Sequence, residues 1–299
     1  MKSTLPTILC NIRSTLIAVS FITLLSGCSN LSSFLFFPHQ GHYETPEVLG
    51  VDYRPIQLES EGFLLSNWLL LPANNGEPNQ KPKATILYLH GNGENISTHM
   101  RSVAWLTLHG YQVFLLDYRG YGESEGASTL RSTMFDIRAA HRWISAETEQ
   151  PILLFGQSMG GALGITYAAN YKNLENEALR DFRAVISESS PANWPQAARE
   201  AMRKHWLTWI VQVPASLIES DYNAEDHIGS LNDLPVLLMH SKHDQIVDYR
   251  HFEQLREKAK SAGVNVTAYQ TNGNHTQGLA YEQARARFLD FVDAVLGEK

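Results

Sequence analysis

Short apolar runs recur along the chain at strand length: Thr85–Leu89, Val113–Leu116, Ile152–Phe155, Ala184–Ile186, Val236–Met239 and Val264–Tyr269. Each is nearly free of charge, the pattern of strands covered on both faces. Helical spacing fills the intervals at Thr129–Ala146, Ser158–Tyr171 and His251–Ala262. A last stretch carries Phe288, Phe291, Val292 and Val295 on one face, which predicts a closing amphipathic helix. Ahead of these, Tyr53–Ser60 and Phe63–Leu71 flank Glu61-Gly62 and predict a β-hairpin. A polar turn rich in Asn, Gly and Pro follows at Ala73–Lys83. A hairpin followed by alternating strand and helix predicts an α/β fold, a mostly parallel doubly wound sheet with an N-terminal antiparallel hairpin.

One interval breaks this rhythm. Ser190–Leu234 is far longer than a crossover needs and holds Trp194, Trp206, Trp209, Ile210, Val211, Leu217 and Ile218. Long insertions of this kind are usually functional. The expectation is a small helical cap inserted between two late strands, at about 190–234.

The N-terminus follows another logic. Lys2 and Arg13 precede the apolar run Leu16–Leu25, which is too short for a span of ~20 apolar residues and reads as a secretory signal core. Leu25-Ser26-Gly27-Cys28 then resembles a bacterial lipobox, with Cys28 as the lipidation site. This divides the chain into a lipoprotein signal peptide (1–27), an anchor-proximal segment (28–50) and a folded domain (51–299). Ser29 after the cysteine is non-acidic, which points to an outer-membrane anchor facing the periplasm. Phe34-Leu35-Phe36-Phe37-Pro38 could dip into the bilayer surface or pack on the domain.

Composition narrows the chemistry. The net charge is −7, and loss of Lys2 and Arg13 with the signal takes it to −9. An acidic chain without a long basic run argues against nucleic acid as a partner. The only cysteines are Cys10 and Cys28, too few for a disulfide scaffold or a thiolate metal site. With 43% hydrophobic and 18% charged residues, a sizeable core is within reach.

Four motifs carry the candidate chemistry. Gly156-Gln157-Ser158-Met159-Gly160, with Gly161 behind it, follows an apolar strand and opens a helix. This is a nucleophile elbow, in which glycines permit a sharp turn that projects Ser158 above a helix N-terminus. His90-Gly91-Asn92-Gly93 ends the strand Thr85–Leu89. Its loop is expected to give the Asn92 N–H to an oxyanion hole, with the Met159 N–H as second donor. His90 is expected to brace the loop. A serine needs a base, and the base an orienting acid. Asp244, just past Val236–Met239, is the candidate acid, and His275, in a Gly/Asn loop past Val264–Tyr269, the candidate base. Glu188 and Asp248 are rival acids, Asp248 being better placed to cap the next helix. His240 and His243 beside Asp244 lack the company of a metal site, so no metal or cofactor is expected. His99, His109, His205 and His251 read as core or solvated residues. In Asp117-Tyr118-Arg119-Gly120-Tyr121-Gly122, Asp117 and Arg119 read as ties to backbone groups near the oxyanion loop.

These motifs together resemble the α/β-hydrolase superfamily, most of all the branch of small serine hydrolases around the yeast bud-emergence protein and the animal α/β-hydrolase-domain proteins. The resemblance runs from about Val51 to the C-terminus. One departure is Ser241, where relatives place Gly after the strand histidine. The resemblance implies a serine hydrolase. Its substrates are expected to be small-molecule carboxylic esters, acyl or lysolipid in type, cleaved through an acyl-enzyme on Ser158. A serine peptidase of the aminopeptidase or prolyl-oligopeptidase-like kind is the alternative within this chemistry. A non-catalytic envelope scaffold is the alternative outside it, and such a scaffold would need none of Ser158, Asp244 and His275.

Overall fold

The computed structural model describes residues 32–33, 35–73, 81–173, 179–203 and 219–297. The signal segment, Cys28, and Trp206 to Ile218 of the insertion lie outside them. Eight strands form one sheet: β1 (Tyr53–Ser60), β2 (Phe63–Leu70), β3 (Thr85–Leu89), β4 (Gln112–Leu116), β5 (Ile152–Gln157), β6 (Phe182–Glu188), β7 (Val236–Ser241) and β8 (Val266–Thr271). Their spatial order is β1-β2-β4-β3-β5-β6-β7-β8. β2 pairs antiparallel with β1 and β4, and all other pairs are parallel. The order reverses at β3 and β4, so helices must cross to both faces.

Among the described residues, five helices of ten residues or more flank the sheet: α1 (Leu130–Glu147), α2 (Met159–Asn170), α3 (Trp194–Arg203), α4 (Arg250–Ser261) and α5 (Glu282–Leu296). Alternation along the strands divides the core in two. Leu87, Leu89, Phe114, Leu154 and Leu238 face α1, α2 and α4. Ile86, Tyr88, Val113, Phe155 and Leu237 face α5, whose Phe288 ring meets those of Trp105 and Phe155. Strands β3, β4, β5 and β7 are buried throughout, as charge-free runs require. β8 differs: Thr267, Ala268 and Gln270 are exposed, because it is the sheet edge and has a neighbour on one side only.

Two segments bear on the expected organisation. The insertion between β6 and β7 opens with α3, where the Trp194 indole donates to Tyr222 O at 2.8 Å and Glu200 meets His251 of α4 at 3.1 Å. Residues 35–50 run against the rest of the structure. Pro38 and Gln40 form parallel bridges to Glu94 and Gly122, and Phe36 is buried in the core. Phe37 is instead 68% exposed, so one of the adjacent phenylalanines packs inward and the other faces solvent.

The loop after β4 is fixed by charge. Arg119 is tied to a carboxylate, not to backbone as expected: its guanidinium donates twice to Asp136 on α1, at 2.7 and 2.9 Å, and to Ser60 Oγ at 2.9 Å. Both side chains are buried. Removing one partner of such a pair leaves an uncompensated charge. Asp136→Ala is therefore expected to destabilise the domain by about 3–5 kcal/mol, read as a lowered urea midpoint with an unchanged slope.

Candidate active site

Every candidate catalytic group stands at the carboxyl end of a parallel strand: His90 after β3, Ser158 after β5, Glu188 ending β6, Asp244 beyond β7 and His275 beyond β8. Sheet topology thus brings residues far apart in sequence to one edge. Ser158 has φ 53° and ψ −122°, a left-handed conformation costly for a residue with a Cβ. Its neighbours make the turn possible. A Cβ on Gly156 would run into the backbone of Gly160, and one on Gly160 into the Leu89 carbonyl. The Ser158 N–H continues the sheet by donating to Glu188 O at 2.8 Å. Met159 opens α2, whose N-terminal end favours negative charge.

The three candidates form one hydrogen-bonded chain. Ser158 Oγ lies 2.8 Å from His275 Nε2, and His275 Nδ1 lies 2.8 Å from Asp244 Oδ2. Asp244 Oδ1 accepts the N–H groups of Ile246 and Val247, each at 2.9 Å. His240 Nε2 lies 3.3 Å from Oδ2. Burial by itself would raise the Asp244 carboxyl. Hydrogen bonds from His240 and His275, the charge of His275 and the Val247 N–H outweigh it and hold the group well below the usual carboxylate range. Asp244 is therefore ionised at neutral pH, as an acceptor for an imidazole N–H must be. Ser241, the departure noted above, joins two of the loops. Its hydroxyl donates to Gly273 O on the His275 loop and accepts the His243 N–H at 3.1 Å.

The rivals lie elsewhere. Asp248 accepts the Arg250 N–H at 2.9 Å, at the start of α4. Glu188 is wholly buried and accepts from Gln157 Nε2 at 2.6 Å. Burial raises its carboxyl, against hydrogen bonds from Gln157 and the Gly278 backbone. His251 is a core residue on Glu200 and the Ala192 N–H, while His205 lies outside the described residues. Among the described residues no three metal-ligating side chains converge.

The glycine loop stands beside the nucleophile. A Cβ on Gly91 would come within 3.3 Å of Ser158 Cβ, so residues 91–92 border the space above the serine. His90 Nδ1 meets Gly91 O at 2.7 Å, and its Nε2 sits 3.2 Å from buried Asp117 Oδ1. His99, read from the sequence only as core or solvated, supports the same loop: its Nε2 lies 3.2 Å from Gly93 O. Burial first, and His90 second, push it down to about 4, so it is neutral and donates. A groove of about 260 Å³ lined by Met134, Tyr167 and Tyr222 lies two turns or more along α2 from Ser158 and belongs to a different region.

Among curated proteins, the uncharacterized protein YfhR of Escherichia coli K12 is 31% identical over 231 residues, covering 73% of this chain and 74% of its own. The chain belongs to the α/β-hydrolase superfamily. The family model described as serine aminopeptidase S33 matches residues 80–222 of this hydrolase. Protein bem46 of Schizosaccharomyces pombe is 26% identical over 68% of the hydrolase and 64% of its own length. Lysophosphatidylserine lipase ABHD12 of Macaca fascicularis is 27% identical over 56% and 43%. These relatives set it in the branch its motifs resemble, and it is a serine hydrolase. The fold is also that of the Pyrococcus furiosus esterase Pf2001, with a TM-score of 0.70 at 21% identity, covering 87% of the hydrolase and 98% of the esterase.

Proposed function

We propose that the protein is a membrane-anchored hydrolase of carboxylic esters, acyl or lysolipid in type, working through an acyl-enzyme on Ser158. The observation that carries this is the unbroken chain Ser158–His275–Asp244, with both contacts at 2.8 Å. Ser158 Oγ attacks the carbonyl carbon while His275 takes its proton. Asp244 holds the imidazole with Nδ1 protonated and Nε2 free to accept. The N–H groups of Asn92 and Met159 receive the oxyanion, a donor pair in which each is worth ~2.7–4 kcal/mol. The C–O bond then breaks, His275 returns the proton to the leaving alcohol, and water repeats the cycle to free the acid.

The anchor supports a lipid-like substrate. A lipidated Cys28 stands nine residues before Phe37, a stretch that spans at most about 30 Å. A lipoprotein signal over 1–27 and the non-acidic Ser29 favour the outer membrane, facing the periplasm. The insertion around 190–234 would serve as a cap over the site. A relative named as a lysophosphatidylserine lipase and a fold neighbour named as an esterase agree with this reading. The peptidase reading is favoured by the family model's description as a serine aminopeptidase.

The two are separated by substrate. p-Nitrophenyl esters of rising acyl length are expected to turn over, with a preferred length that sizes the acyl site. Aminoacyl p-nitroanilides are expected to remain intact. Anilide turnover without ester turnover would reverse the assignment.

A further inference from the structure

The oxyanion loop is held from outside the sheet by the segment that joins the anchor to the domain. Residues 35–43 run along it as a strap. The Phe37 N–H donates to Asn92 Oδ1 at 2.8 Å, and Asn92 Nδ2 donates to Leu35 O. The His39 N–H donates to Glu94 O at 3.2 Å, and the Gly41 N–H to Gly122 O at 2.7 Å. Buried Asn95 returns two bonds, from Nδ2 to His39 O at 3.0 Å and to Gly41 O at 2.7 Å. The ends are pinned as well. Phe36 is 6% exposed and joins the core cluster that holds Tyr118 and Tyr121. His42 lies 3.4 Å from buried Asp117, whose other oxygen faces His90.

The glycines of the loop leave the direction of its backbone to be set by neighbouring groups. Two of the four residues in His90-Gly91-Asn92-Gly93 are glycines, and Gly93 has φ 84°. Asn92 is fixed through its side chain, which also accepts the Gly93 N–H at 2.8 Å and the Tyr121 hydroxyl at 3.0 Å. A side chain held this way fixes the peptide plane beside it, and an oxyanion donor acts only when that plane points correctly.

We propose that the strap is a positioning element of the active site: by holding the Asn92 side chain, residues 35–43 aim the Asn92 N–H at the oxyanion. This rests on the serine-hydrolase reading of Ser158 and on Asn92 as a donor. The segment following the anchor is then part of the catalytic apparatus as well as a tether. Strap loss should act on the transition state more than on substrate binding, and so on kcat more than on KM.

The test uses the full-length chain with p-nitrophenyl butyrate, rates being referred to sites counted by exhaustive fluorophosphonate labelling. Deletion of residues 35–41 and the substitution Phe36→Ala are each expected to lower kcat about tenfold or more, outright loss of one oxyanion donor being worth 10²–10³. KM should change far less. Phe36→Leu should restore most of the rate. Val48→Ala, at an exposed position beyond the strap, should leave it unchanged. Faster hydrogen exchange at the Phe37, His39 and Gly41 N–H groups reports its release. A deleted chain that keeps near-wild-type kcat overturns the proposal, as does a Phe36→Ala chain whose strap amides exchange freely yet which is fully active. A wild-type chain that neither labels nor turns over would instead refute the hydrolase reading beneath it.

Discussion

Ser158→Ala is expected to lower kcat on p-nitrophenyl esters by a factor on the order of 10⁵–10⁶, the scale of losing a triad nucleophile. The oxyanion donors remain, so a residual rate of ~10³–10⁴ over water should persist. Fluorophosphonate labelling should vanish. The fold should not suffer. Alanine keeps the Cβ, so the elbow strain at φ 53° is unchanged and the melting temperature should stay close to that of the parent. Ser158→Gly separates the two effects. It is equally inactive, but glycine adopts positive φ freely, and relief of the strain should stabilise the domain by about 1 kcal/mol. An inactive variant more stable than its parent would mark the elbow as strain kept for catalysis. If Ser158→Ala keeps its turnover, another nucleophile must be sought.

The sequence made the sheet legible because its central strands are buried on both faces and carry almost no charge. That signal weakens where burial weakens, so β8 was foreseen near Val264–Tyr269 but lies at Val266–Thr271, on the edge. The elbow could be read because only glycine tolerates the close approaches at Gly156 and Gly160, and that constraint is local. Asp244 and His275 could be located because strand order and strand ends dictate where an acid and a base can stand. The partner of Arg119 was missed for the opposite reason. Asp136 lies on the polar-looking pattern of α1, and nothing local distinguishes it from a solvated carboxylate until α1 packs beside the Arg119 loop. Packing of Phe34–Pro38 on the domain is one of the two sequence readings, but the partners of the strap are not legible: its bonds to Glu94, Asn95 and Gly122 are mostly backbone contacts between segments more than 50 residues apart, and backbone pairing leaves little side-chain pattern.

Asp244→Asn is the second large effect, an expected fall in kcat of about 10⁴. Its cause lies in the two backbone donors. The N–H groups of Ile246 and Val247 both point at Oδ1, 2.9 Å away, so an asparagine must put its carbonyl there. Its NH₂ then takes the place of Oδ2, 2.8 Å from His275 Nδ1. A donor at that position forces Nδ1 to accept, which moves the imidazole proton to Nε2, facing Ser158. The base is then occupied by a proton and cannot receive the one on the serine. The same NH₂ would face His240, which lies 3.3 Å from Oδ2 in the parent, so some stability is lost as well. That loss has a definite pH dependence. The native carboxyl is held below its unfolded value of ~3.9, so its contribution is complete above that value and fades as the pH falls toward the native one. Urea midpoints of parent and Asp244→Asn should therefore differ at pH 7 and converge on acidification below about pH 4. Glu188→Gln is the internal control. Glu188 is bonded to Gln157 and not to His275, so its loss should leave His275 correctly protonated and cost far less rate than Asp244→Asn. If the two variants lose equal activity, the acid has been assigned to the wrong strand.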